Sequence, residues 1–174
     1  MLLDFFNIVA DLKKIQRKGW KEKIGLTSPE SVADHSYNTA VMAMVLADLK
    51  GLDTEKILKM ALLHDLAESV IGDFTPQEIS KKNKTELENN AMLDILSRLP
   101  PSLANNYSKV WQEYQEQNSK EAILVHEIDR LEMALQAYKY HTDGHPKDKL
   151  ETFFAAARKD IKSKEVLEIL DKIL

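Results

Sequence analysis

No cysteine occurs in this chain, which excludes disulfide staples, thiol catalysis and thiolate metal sites. Any metal must therefore be bound by His, Asp and Glu. Glycine and proline are scarce, 5 of each in 174 residues, about half the usual share, which argues against a turn-dense barrel or sandwich. Long apolar runs are missing too. The longest uncharged stretch, Ser36 to Ala47, is too short to cross a bilayer. The apolar start carries Asp4 and lacks a basic region and a small-residue cleavage site, so no signal peptide and no membrane association are expected. Nor is there a basic excess: 24 Lys and Arg stand against 28 Asp and Glu, a net charge of −4, and no basic stripe points to a nucleic-acid polymer as partner.

What is present favours helix. Leu and Ala supply 38 residues against 27 for Val, Ile and Thr, a balance that suits helices better than sheets. With 30% charged and 44% hydrophobic residues, the expectation is a folded, cytoplasmic, all-α protein. Its length suits one domain spanning residues 1–174, with a core able to fold unaided.

Hydrophobic periodicity and punctuation divide the chain into helices. The first is expected from Leu2 to Gln16, followed by a polar connector over residues 17–29. A capping-box-like pair, Ser31 and Asp34, opens a helix that closes at Gly51. A third, capped by Asp53 or Thr54, is apolar on most sides and is expected to run to about Gly72, buried. Thr75-Pro76-Gln77-Glu78 reads as another helix start, and Asn83 to Glu86 repeats the box for a helix to about Leu99. Further helices are expected from Ser102 to about Gln117, from residues 118–121 to Thr142, from Lys147 to about Ile161, and from Ser163 onward.

The informative residues break this pattern. His64 and Asp65 interrupt the most apolar helix, where their directions differ by 100° yet can converge on an ion in the seam between them. Asp129 lies among Ala122, Val125 and Met133 on a long helix, and a buried carboxylate there needs a positive partner. His35 stands one turn into the second helix. Each has an ordinary reading when taken singly: a histidine donating to a carbonyl, an interhelical ion pair to Arg or Lys, a capping or surface histidine. Together they form the order H…HD…D, two imidazoles and two carboxylates suited to a divalent cation with open positions. Glu68 lies one helical turn beyond His64 on the same face. His126 reads as a surface residue, His141 and His145 as helix-end residues, Trp111 and Tyr114 as core, and the Lys81 to Lys84 run as a solvated loop.

Five segments carry a resemblance: Gln16-Arg17-Lys18-Gly19-Trp20, Pro29 to Ser36, Ala61 to Glu68, Val70 to Pro76, and Ile128 to Met133. Over roughly residues 12–140 the chain resembles the HD-domain superfamily of metal-dependent phosphohydrolases. More narrowly it is similar to the 5′-deoxynucleotidases that include YfbR-like proteins and the eukaryotic HD-domain-containing protein 2 group. The resemblance implies a single-domain helical bundle with the metal site in its core. It implies His35, His64, Asp65 and Asp129 as ligands of one divalent ion (Co, Mn, Fe, Ni or Zn). Glu68 matches the glutamate that positions or deprotonates the attacking water, and Asp73 the residue that contacts sugar or assists proton transfer.

Arg17, Lys18 and Trp20 match the substrate-binding positions, a guanidinium or ammonium for phosphate and a ring beside the sugar. Two residues separate Arg17 from Trp20, as in the eukaryotic group, whereas the bacterial pattern has Arg and Trp adjacent. The implied activity is hydrolysis of deoxyribonucleoside 5′-monophosphates by a homodimer or higher homo-oligomer. The alternatives are an HD hydrolase for triphosphates, cyclic or signalling nucleotides, and a non-catalytic nucleotide-sensing module.

Overall fold

Four of the helices begin where a side-chain oxygen meets one of the free N–H groups of the first turn. Ser31 accepts from the Asp34 amide and Asp34 in turn accepts from the Ser31 amide at 2.9 Å, a complete capping box. Asp53, Ser80 and Ser119 accept from the amides of Lys56, Asn83 and Ala122. Each such cap contributes about 1 kcal/mol. The computed structural model describes residues 2–174. Its helices are α1 (Leu2–Asp11), α2 (Lys18–Ile24), α3 (Val32–Lys50), α4 (Thr54–Leu63), α5 (Glu68–Ile71), α6 (Lys81–Leu96), α7 (Pro101–Glu116), α8 (Lys120–Thr142), α9 (Lys147–Asp160) and α10 (Lys164–Leu170). The fold is all-α, as the composition implies.

The core lies where α3, α4 and α8 meet, with α7 against α4 and α8, and α9 against α8. From α3 come Ala40, Ala43 and Ala47, small enough to let its neighbours approach closely. From α4 come Ile57, Met60 and Ala61, and from α8 Leu124, Val125, Ile128 and Leu131. Each large aliphatic side chain contributes roughly 1.5–3 kcal/mol through removal from water. Trp111 and Tyr114 are buried in this core, as their helical spacing implies. No helix of the described residues is long and apolar enough to cross a membrane.

Six expectations need correction. The first helix stops at Asp11, tightens into a 3-10 turn at Leu12–Lys14, and yields to extended chain. There Gln16 pairs antiparallel with Ser31, the Arg17 amide donates to Glu30 O at 3.0 Å and the Val32 amide to Ile15 O at 2.8 Å. The connector contains α2, a short helix fastened by the buried Trp20 ring against Phe153 and Tyr140.

The long buried helix does not continue to Gly72. It ends at Leu63, and residues 64–67 form tight turns in which the Leu66 amide donates to Leu63 O and the Glu68 amide to Asp65 O. Thr75 to Glu78 closes one turn only, because Ser80 restarts the chain as the cap of α6. The cap of α6 is therefore Ser80 rather than Asn83, and Lys81 to Lys84 form its first turn instead of a loop.

Candidate metal centre

Three chain segments bring the four candidate ligand side chains to one place. The capping box at Ser31 starts α3 in register to send His35 inward, where it is fully buried. The tight turns after α4 present His64 and Asp65, and the middle of α8 presents Asp129. His35, His64 and Asp129 offer ligand atoms that all lie within 4.8 Å of one another. His35 Nε2 is 3.3 Å from His64 Nε2 and 3.2 Å from Asp129 Oδ1. Asp65 Oδ2 lies 3.3 Å from His64 Nε2 and 3.7 Å from His35 Nε2, and it also pairs with Arg17 at 3.2 Å.

The tautomers follow from the other ring nitrogens. His64 Nδ1 donates to Ala61 O at 2.7 Å, and His35 Nδ1 donates to Glu132 Oε2 at 2.6 Å. The two Nε2 atoms then face each other and two carboxylate oxygens, an arrangement that positive charge between them satisfies. Donor atoms about 2.1 Å from a common ion stand roughly 3.0–3.4 Å apart, close to the spacings observed. The residues fit a divalent cation.

The electrostatics agree. Burial and Arg17 oppose charge on His35, yet hydrogen bonds to Asp129 and Glu132 prevail and raise its pKa to about 10. A proton held there occupies the place of a cation's charge. Burial would lift the Asp129 carboxyl, but Arg130 and then His35 hold it well below the usual carboxylate range. Asp65 is likewise held low against burial, by His64 and Arg17. Both carboxylates are ionised at neutral pH and ready to ligate.

Around this cluster opens a cavity of about 740 Å³ whose wall includes Arg17, Glu68, Asp73, Lys84, His126 and Arg130. Glu68 is fully buried, with Oε1 accepting from Lys84 Nζ at 3.0 Å and Oε2 lacking a hydrogen-bond partner. Burial, and then the charge of Asp65, raises its pKa to about 8, against the pull of Lys84 and Arg17. Asp73 accepts from the Lys18 amide at 2.7 Å, which ties α2 to the turn after α5.

The three residues expected to bind substrate separate. Arg17 points into the cavity. The Lys18 ammonium turns to Glu78 at 2.9 Å and lies over the Phe74 ring. Trp20 is 1% exposed and donates to Glu30 at 2.8 Å. His126 is not a surface residue: its ring stacks on Tyr114 at 4.2 Å in the cavity wall. His141 and His145 stay at the exposed and half-buried end of α8, as expected.

Glu132 is a residue that pattern reading passed over, although it sits one turn from Asp129 on the same helix. Its second oxygen accepts from Asn38 at 3.2 Å, so both oxygens are engaged and its hold on His35 is fixed. Carboxylates in this position typically contribute 10–100-fold in metal affinity. Glu132→Ala is therefore expected to weaken Mn²⁺ or Co²⁺ binding by about that factor in a calorimetric titration. Unchanged affinity would mean that Glu132 merely satisfies the His35 ring.

Comparison with known proteins agrees with this geometry. The HD domain matches residues 9–170. The 5′-deoxynucleotidase HDDC2 of Dictyostelium discoideum is 43% identical over 167 residues, covering 90% of this chain and 87% of that protein. The human 5′-deoxynucleotidase HDDC2 is 36% identical over 173 residues, covering 99% and 84%. A crystal structure of a Pyrococcus horikoshii OT3 protein superposes with a TM-score of 0.82 at 34% identity, over 98% of this chain and 97% of that one. With the HD-domain match spanning residues 9–170 and relatives similar over nearly the whole chain, the chain belongs to the HD-domain family.

Proposed function

We propose that the protein is a metal-dependent 5′-deoxynucleotidase that converts deoxyribonucleoside 5′-monophosphates to deoxynucleoside and phosphate. One observation carries the reading: two imidazole Nε2 atoms and the carboxylates of Asp65 and Asp129 converge beside an inward-pointing arginine and a buried glutamate with one unpartnered oxygen. The names of the relatives support the substrate class. His35, His64, Asp65 and Asp129 hold the ion. When bound, it supplies Lewis acidity toward a phosphate oxygen and toward water.

The remaining work belongs to the chain's own groups. Arg17, 12% exposed, offers a planar pair of donors to the phosphate. Glu68 Oε2 accepts a proton from the attacking water as its oxygen bonds to phosphorus. The bond from phosphorus to the 5′-oxygen breaks on the opposite side, and Asp73, entering the step as the carboxylic acid, protonates the departing alkoxide; Glu68 then gives its proton to solvent and Asp73 takes one up. Lys18, paired with Glu78, is left to shape the turn, and Arg17 is the phosphate clamp. Trp20, buried against Phe153 and Tyr140, anchors the helix that follows Arg17. Co, Mn, Fe, Ni and Zn all suit the donor set, and a cytoplasmic homo-oligomer is the assembly that accompanies this reading.

A panel of deoxy- and ribonucleoside 5′-monophosphates, assayed for phosphate release with Co²⁺, Mn²⁺ or Zn²⁺, tests the proposal. Release from the deoxynucleotides above the ribonucleotides is the expected result. Metal-loaded protein that releases phosphate from none of them would leave hydrolysis of triphosphates, cyclic or signalling nucleotides, or nucleotide sensing, as the function.

A further inference from the structure

Lys84 contributes an ammonium group from α6 to a carboxylate on a different element. Its Nζ is 3.0 Å from Glu68 Oε1 and 3.5 Å from Glu88 Oε1, with the Glu68 side chain 1% exposed and the Lys84 side chain 29%. A pair buried to this degree contributes little net stability, because desolvation offsets its attraction and an apolar pair would pack as well. Its geometry, by contrast, does something an apolar pair cannot. A carboxylate has two oxygens, and fixing one of them fixes where the other points. The fixed oxygen is Oε1, and the free one is Oε2, which is buried and has no partner.

Negative charge crowds the same corner, with Asp65 and Asp73 both near Glu68. Arg17, the other cation there, is engaged by Asp65. Lys84 is thus the cation in direct contact with Glu68.

We propose that Lys84 is a positioning residue for hydrolysis, holding Glu68 by one oxygen so that the other is aimed at the attacking water. The role rests on the nucleotidase reading above. It assigns Lys84 no contact with the nucleotide and none with the metal ligands.

The absence of cysteine from the chain makes a clean test possible. Lys84→Cys introduces the sole thiol, and alkylation with 2-bromoethylamine rebuilds an ammonium of nearly the original length. Alkylation with iodoacetamide adds a neutral group of similar size. Steady-state phosphate release from deoxyadenosine 5′-monophosphate and metal content are read on all forms, with the unaltered protein in parallel. The expected result for Lys84→Cys is a fall in kcat of about 10-fold or more, with KM within twofold and metal content unchanged. Aminoethylation should restore most of kcat and carbamidomethylation should not.

A full kcat without the ammonium, a loss confined to KM, or equal rescue by both reagents would each overturn the role. If Lys84→Cys does not fold, Lys84→Gln is read by the same kcat and KM criteria. A wild-type protein that releases no phosphate would count against the nucleotidase reading itself, whereas an active wild type with an unimpaired variant counts against Lys84 alone.

Discussion

Asp129→Ala is expected to lose both the metal and the activity. Asp129 Oδ1 is 3.2 Å from His35 Nε2 and is one of two ionised carboxylates facing the imidazole lone pairs. Its removal takes away a proposed ligand and one of the negative charges that would draw a cation into a buried site. The loss of metal affinity should exceed the roughly 10–100-fold expected for Glu132→Ala, because Glu132 acts only through His35.

Thermal unfolding provides a second measurement. A metal at about 100 times its Kd stabilises the folded state by about 2.7 kcal/mol. For a chain of this size that corresponds to a rise in Tm of roughly 5–10 °C. Wild-type protein should show such a rise on adding Mn²⁺ or Co²⁺, and Asp129→Ala should not. A normal metal content in Asp129→Ala would remove Asp129 from the ligand set.

Glu68→Gln is expected to separate chemistry from binding. The amide keeps the shape and an oxygen for Lys84, but it cannot accept a proton from water. A general base of this kind typically contributes 10²–10⁴-fold, and a fall in kcat of about that size is expected. Metal content and the metal-induced rise in Tm should survive, since Glu68 is not among the convergent donors. Stability should not suffer either, because an amide in this buried place carries no charge to desolvate. Loss of metal in both Asp129→Ala and Glu68→Gln would collapse the distinction between ligand and base.

The parts of the structure that were legible in the sequence are those written in local chemistry. Ser31 with Asp34 and the Gly51 terminus bracket α3 because capping groups and a left-handed glycine act within a few residues. Asp129 was legible as a charge in an apolar row, and the ordered set of His and Asp as a candidate metal centre. Other features depend on partners far along the chain. Helix α2 is short, contains Gly19 and has no side-chain cap, so only the contact of Trp20 with Tyr140 and Phe153 explains it. The break after Leu63 leaves no mark because Leu66 and Ala67 continue the apolar pattern across it. Lys84 looks like one charge in a run of lysines until α6 is packed beside α5, and Glu132 looks like a flank until the His35 ring is seen to rest on it.

The short antiparallel clasp between residues 15–17 and 30–32 has a bearing on how sequences of this kind can drift. Both of its rungs are main-chain hydrogen bonds, donated by the Arg17 and Val32 amides. The spacing of the two chain segments that lead to Arg17 and His35 is therefore specified by backbone, and Gln16 can be exchanged for most other residues without disturbing either rung. Proline at 32 is the exception, since it would delete a donor and uncouple the anion-facing edge of the centre from its cation-facing edge while every side chain of the chemistry stayed in place.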